Sequence, residues 1–95
     1  MDSFYERLAV QVVCELNGFR PRGRFSFEEM KIYVRNHLRH LNLIGTYVWK
    51  HRYFWDWFRS GLNRAVQASL GIGCEGFGSN ARYYYKYLKD LLLSS

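Results

Sequence analysis

Cysteine and acidic residues are scarce in this sequence of 95 residues. The two cysteines, Cys14 and Cys74, are too few and too far apart for a disulfide scaffold or a metal knuckle, although a single disulfide between them stays open. The eight acidic residues give no support for a nuclease site, because the adjacent pair Glu28 and Glu29 is explained by the helix start that it occupies. We therefore predict no catalytic activity, no cofactor and no bound metal.

Long apolar runs are also missing. No run approaches the length of a membrane span, and Asp2, Glu6 and Arg7 interrupt the start of the chain, where a signal peptide would be apolar. We expect an intracellular protein, in the cytoplasm or in the nucleoid or nucleus, that binds no membrane and keeps Cys14 reduced and buried on a helix flank. No repeat or domain boundary is visible, so residues 1–95 are predicted to form one domain.

Basic residues are abundant, with 14 lysines and arginines and a formal net charge of +6. Ten of the 14 are arginine, whose planar guanidinium suits phosphate or guanine. Residues 20–64 hold ten basic and only three acidic side chains. An acidic partner is therefore expected to meet the middle of the chain.

Two capping boxes predict the first two helices. Ser3 with Glu6 begins a helix that ends at Gly18, which is expected to supply a left-handed C-cap. Ser26 with Glu29 begins a second helix, flanked by a hydrophobic staple and continuing to Leu41. The staple residues are Phe25 and Met30.

The linker between these helices, residues 20–24, reads RPRGR and cannot be helical across Pro21. This run resembles the core of an AT-hook, a short element that lies extended in narrow A·T minor grooves. The resemblance implies that Arg22 and Arg24 enter the groove while Gly23 lets the backbone approach its floor. The alternative is a plain exposed loop, in which the three arginines could still contact phosphates as an arm.

Residues 46–70 hold all three tryptophans and are predicted to be helical, with a break at Gly61 after a capping Ser60. A strand is the alternative for residues 46–54. Residues 71–78 contain four glycines and predict a loop or the tip of a hairpin. A final helix over residues 81–93, capped by Ser79, is preferred to a strand over residues 82–87, which would form a β-hairpin wing.

The predicted fold is mostly α, a small helix-turn-helix-like domain of four to five helices, with a short β-hairpin wing near residues 71–87 as the alternative. The predicted function is nucleic-acid binding by a helix-turn-helix or winged-helix regulator, with DNA preferred to RNA as the partner. In this reading the second helix braces the recognition segment, residues 59–67. The residues expected to contact nucleic acid are Arg20, Arg22, Arg24, Lys50, Arg52, Arg59, Asn63, Arg64 and Gln67.

An alternative function is a protein-interaction or homodimerisation module. Trp49, Tyr53 and Trp57 are four residues apart, so on one continuous helix they would form an aromatic ridge outside the core. Such a ridge, if exposed, suits a partner protein or a second copy of the chain.

Overall fold

The computed structural model describes residues 4–45 and 47–86. Within these residues the chain forms four α-helices and a small antiparallel sheet of three strands. In chain order these are α1 (Phe4–Phe19), β1 (Phe25–Ser26), α2 (Phe27–Asn36), α3 (Tyr47–Lys50), α4 (Phe54–Gln67), β2 (Ile72–Glu75) and β3 (Arg82–Tyr85). The prediction of a mostly α fold is confirmed at this level. The predicted cap at Ser3 and the predicted helix beyond residue 86 lie outside the described residues.

The packing of α1 against α4 forms the centre of the fold. Gly61 lies at the crossing, where an added Cβ would be 2.5 Å from the Cβ of Tyr5 and 2.7 Å from its carbonyl carbon. The predicted break at Gly61 is therefore wrong, because this glycine is inside α4 and permits close approach of the two helices. The break instead falls at residues 51–53, where the Tyr53 N–H donates to Nδ1 of His51 at 3.2 Å.

The buried core draws on α1, α2, α4, the connection between α2 and α3, and the sheet. Its largest fully buried side chains are Phe25, Phe54, Phe58, Met30, Leu43, Leu62, Ile72, Val12, Val13 and Val34. Met30 and Val34 of α2, like Phe54, Phe58 and Leu62 of α4, recur four positions apart, so each set lies on one face of its helix.

The capping box at the start of α2 is confirmed: Ser26 Oγ accepts from the Glu29 N–H at 3.2 Å, and the Glu29 carboxylate accepts from the Ser26 N–H. The helix ends at Asn36, not at Leu41 as predicted. Leu41 is still buried, because the chain turns through a left-handed Asn42 (φ 59°) and directs neighbouring leucines into the core.

Glu15 joins α1 to α2 and to the turn that follows it. Its carboxylate accepts hydrogen bonds from the Tyr33 hydroxyl, from Gln11 at 2.9 Å and from His40 at 2.8 Å. Burial alone would raise the pKa of Glu15, but these hydrogen bonds and the charge of His40 outweigh it, so the pKa lies below its ordinary value. Burial and the adjacent carboxylate raise the pKa of Tyr33.

The sheet replaces part of the helix that was preferred for residues 81–93. The strand order is β1-β3-β2, with Phe25 opposite Tyr83 and Gly73 opposite Tyr84. Tyr83 is buried, while the ring of Tyr84 lies over Gly73, where a Cβ would be 2.4 Å from the ring. The glycine thus leaves room for the ring of the second of three consecutive tyrosines, although three aromatic residues in a row do not follow the apolar–polar alternation of a half-buried strand.

Two smaller predictions about α1 are also wrong. Gly18 does not adopt a left-handed conformation, since α1 continues through Phe19 and the Arg20 N–H still bonds the Leu16 carbonyl at 3.0 Å. Cys14 is exposed, not buried, and both Cys14 and Cys74 are free thiols.

Within the described residues, none of the helices is both long and apolar enough to cross a bilayer.

Candidate nucleic-acid interface

Three of the arginines expected to contact nucleic acid are engaged by carboxylates. We call them the clamp arginines; they pair as Arg20 with Glu29 at 2.9 Å, Arg24 with Glu75 at 2.7 Å and Arg64 with Glu6 at 2.8 Å. The first two hold the loop of residues 20–24 against α2 and β2, and the third joins α4 to α1. These guanidinium groups contribute to tertiary contacts within the protein, although each remains partly exposed.

Glu29 is the acid on which several of these contacts converge. It completes the α2 capping box, binds Arg20 and lies 3.5 Å from Arg82 of β3. Burial would raise its pKa, but the Ser26 N–H and the charges of Arg20 and Arg82 lower it below the ordinary value. A single carboxylate therefore links the linker, α2 and the sheet.

A second group of cations lies over aromatic rings where α2 meets α4. The Arg59 guanidinium carbon is 4.3 Å from the centre of the Phe27 ring. Lys31 Nζ is 5.7 Å from the ring centres of both Phe27 and Trp55. The Arg35 guanidinium carbon is 5.3 Å from the centre of the Trp55 ring. Phe27 and Trp55 touch edge to face at 6.3 Å. We call these five residues the cation strip.

The cation strip carries more positive charge than the acids near it cancel. Its one ion pair within the described residues joins Lys31 to the exposed carboxylate of Glu28 at 3.3 Å. Within the same residues Arg35 and Arg59 are exposed and have no carboxylate at ion-pair distance. The strip therefore places three cations over two rings that contact each other, with more positive than negative charge.

A small pocket of about 110 Å³ lies at the Arg59 end of the cation strip. The start of α2, the middle of α4 and the tip of the β2–β3 hairpin form its walls. The lining residues are Ser26, Phe27, Glu28, Arg59, Gly78, Ser79, Ala81 and Tyr83. The pocket shows that the hairpin tip and the strip share one side of the molecule.

The outward face of α4 is polar but not strongly basic. Asn63 and Gln67, two of the predicted contacts, are exposed there with Asp56 and Ser60. The Tyr83 hydroxyl donates to Oδ1 of Asn63 at 3.5 Å, and Ser60 Oγ accepts from Arg64 at 2.7 Å. This face has hydrogen-bond donors and acceptors suited to base edges. The two arginines of α4 flank it, Arg59 over Phe27 of α2 and Arg64 paired with Glu6 of α1.

Three other predicted contacts lie elsewhere on the surface. Lys50 and Arg52 are exposed around the junction of α3 and α4, with the Arg52 guanidinium 4.9 Å from the centre of the Tyr53 ring. Arg22 is exposed in a left-handed conformation (φ 62°), and its N–H donates to Asn17 at 3.0 Å. The likeness of residues 20–24 to an AT-hook stays a prediction.

The break before α4 divides the predicted aromatic ridge. Trp49 is half-buried and contacts Phe54 and Trp55, with ring centres 5.6 and 5.8 Å apart. Tyr53 and Trp57 remain exposed, at 45% and 40%, and their ring centres are 6.3 Å apart. His51 completes this smaller group, 4.5 Å from Trp57.

Arg59 is the one member of the cation strip that was predicted from the sequence as an interface residue. Phe27, Lys31 and Arg35 are spaced four apart and so share one line along α2. That spacing was a usable signal. Their meeting with Trp55, twenty positions beyond Arg35, is a tertiary contact that no local pattern indicates.

Comparison of the chain with protein-family models, with curated proteins and with solved structures finds no match. Among the described residues no three histidine, cysteine or acidic side chains come together in a way that could hold a metal ion.

Proposed function

We propose that the protein binds double-stranded DNA as a winged-helix module, without catalysis. The observation that carries the proposal is the order of its elements: α1, β1, α2, α3 and α4 are followed by a hairpin whose last strand also pairs with β1. In a winged-helix domain a β-hairpin, the wing, follows the recognition helix of a helix-turn-helix unit. Here α4 takes the place of that helix, α2 braces it, and β2 and β3 form the wing.

The exposed side of α4 has the chemistry for base contacts. Arg59 suits guanine, and Asn63 and Gln67 suit adenine. They are spaced four apart, so they lie along one line of the helix and can face one groove. A helix fits the major groove of B-form DNA and not the narrow major groove of A-form RNA, which favours DNA.

The cation strip supplies the phosphate contacts beside α4 in this proposal. Lys31 and Arg35 lie on α2, the bracing helix, which in helix-turn-helix complexes crosses the DNA backbone. The clamp arginines are assigned to folding instead. Glu6, Glu29 and Glu75 form ion pairs with the clamp arginines, in contacts between separate elements of the fold. Because these acids do not pair with the cation strip, the charge of the strip remains available to a polyanion.

The test compares single-charge substitutions on and off the proposed surface. Arg35→Gln should weaken binding of a labelled duplex, measured by fluorescence anisotropy across a salt series, and reduce the slope of log K against log salt by about 0.9 for the one lost phosphate contact. Arg59→Gln should weaken binding and reduce discrimination between G·C and A·T sites.

Lys86→Gln is the matched control, because Lys86 is exposed and its N–H bonds the Gly71 carbonyl at the end of the sheet opposite the wing tip. Arg22→Gln tests the arm predicted from the AT-hook resemblance. If Arg35→Gln and Arg59→Gln bind as Lys86→Gln does, the proposed surface is wrong. A loss confined to Arg22→Gln would transfer the binding to the linker.

A second candidate function, homodimerisation, is favoured by the exposed contact between Tyr53 and Trp57. Exposed aromatic pairs of this kind are common anchors in protein interfaces. Light scattering at two protein concentrations should detect a dimer that Trp57→Ala dissociates. A mass equal to that of the monomer at both concentrations would rule this candidate out.

A further inference from the structure

Phe77, at the tip of the β2–β3 hairpin, is the most exposed large apolar side chain among the described residues. It is 92% exposed, compared with 76% for Phe19 and 40% for Trp57. Hairpin tips usually carry polar residues or glycine, because water solvates an exposed apolar ring poorly. A ring left this bare at the end of a projecting element is suited to burial in a ligand.

The backbone on both sides of Phe77 is held by the turn. Gly76 has a φ of 84°, and an added Cβ would lie 2.8 Å from the Asn80 carbonyl oxygen, so glycine is required there. The Asn80 N–H donates to the Phe77 carbonyl at 3.0 Å, and Gly78 has a φ of 57°. Phe77 thus projects from a defined turn, and its glycine neighbours add no side-chain bulk beside the ring.

The surroundings of Phe77 favour a polyanion with an apolar interior. Gly78 and Ser79, the next two residues, line the same pocket as Arg59 of the cation strip. The one acid at the base of this tip, Glu75, is neutralised by Arg24 at 2.7 Å. The turn that carries the ring therefore adjoins Arg59 across this pocket, and the two acids nearby, Glu75 and the pocket residue Glu28, are both ion-paired. Duplex DNA offers both: its stacked base pairs can bury the apolar ring, and its phosphates can pair with the cation.

We propose that Phe77 is a wedge that inserts between adjacent base pairs from the minor groove and bends the duplex. This inference rests on the proposed DNA binding and adds a specific role for the wing tip. Apolar wedges in other proteins unstack base steps in this manner. Insertion should be easiest at pyrimidine–purine steps such as TA, which unstack readily, so Phe77 would give a preference for flexible sequences.

The experiment uses a duplex of about 20 base pairs with alternating TA steps, carrying 2-aminopurine in place of a central adenine and a dye at each end. Binding of the wild-type protein should increase 2-aminopurine emission and raise energy transfer between the dyes. Phe77→Ala should abolish both signals while leaving the salt dependence of binding unchanged. Phe77→Leu should restore part of each signal, since leucine is also an effective wedge.

Phe19→Ala is the matched control: it removes another exposed phenylalanine, from the end of α1, and should leave both signals intact. If the wild-type protein binds the duplex without either signal, the wedge is refuted and the DNA-binding proposal survives. If the wild-type protein does not bind the duplex at all, both proposals fail. If Phe77→Ala instead removes a concentration-dependent increase in light-scattering mass, Phe77 is a contact between copies of the chain, which also refutes the wedge.

Discussion

Replacing Gly61 by alanine tests the packing of α1 against α4 most directly. Glycine in a helix interior is normally a weakness, and alanine there stabilises by about 1 kcal/mol. Gly61 is inside α4 and buried, so helix propensity alone predicts a more stable protein. The contact with Tyr5 predicts the opposite.

The size of the effect follows from which atoms the new methyl group meets. It would lie 2.5 Å from Tyr5 Cβ, 2.7 Å from its carbonyl carbon and 2.9 Å from its carbonyl oxygen. These atoms belong to the α1 backbone or are fixed to it, so no side-chain rotation relieves the overlap and the helices must separate. Overpacking costs about 1–3 kcal/mol, and the backbone contact places Gly61→Ala near the upper limit. Subtracting the propensity gain of about 1 kcal/mol leaves a net loss of roughly 2 kcal/mol.

The assay is thermal and denaturant unfolding followed by tryptophan fluorescence and circular dichroism. A loss of about 2 kcal/mol should lower Tm by roughly 8–16 °C in a chain of this size. Gly18→Ala is the matched control, because Gly18 lies in α1 at ordinary φ with nothing within 4 Å of its missing Cβ; it should be neutral or stabilising by up to about 1 kcal/mol. If Gly61→Ala raises Tm as Gly18→Ala does, the close helix crossing is wrong.

Three further changes test the contacts around the core. Ser26→Ala removes the α2 cap and should lower the free energy of unfolding by about 1 kcal/mol; an unchanged urea midpoint would contradict this. Arg64→Ala breaks a partly exposed pair and should lower it by less than about 1 kcal/mol, with a Glu6→Gln double-mutant cycle measuring the coupling. Because the folded-state pKa of Glu15 is depressed, its contribution is present above the ordinary value of 4.5 and lost as pH falls through the folded pKa. The stability difference between wild type and Glu15→Gln should shrink over that acid range, and a constant difference would refute the linkage.

Local chemistry predicted the parts of the fold whose causes are local. The α2 cap was predictable because Ser26 and Glu29 satisfy each other within one turn, next to Phe25 and Met30, which are both buried in the core. The break before α4 was not predictable in the same way. Glycine is a common helix breaker, so the break was predicted at Gly61. Only the contact with Tyr5, which is distant in the sequence, shows why a glycine lies inside this helix.

The sheet and the candidate interface depended on distant partners. Tyr84 forms part of a strand because Gly73 lies opposite it, and a helical spacing of nearby apolar residues pointed the other way. In the interface, Arg59 was predicted from its own helix face. Arg35 was not predicted as an interface residue, because its place in the cation strip depends on a contact with Trp55, which belongs to another helix.

The division between clamp arginines and cation strip changes how loss of binding in arginine variants must be interpreted. Removing Arg24 or Arg64 breaks an ion pair within the protein, so it lowers Tm, and it reduces apparent binding only where the lost stability leaves part of the protein unfolded. Removing Arg35 leaves the fold's ion pairs intact; it removes an exposed charge and one cation–π contact, with Trp55. The two mechanisms are separable, because loss of folded protein shifts the binding curve without altering its salt slope, whereas loss of a phosphate contact reduces that slope. An arginine scan that records both Tm and salt slope therefore assigns each guanidinium to folding or to DNA, and a clamp variant with reduced slope at full stability would overturn the division proposed here.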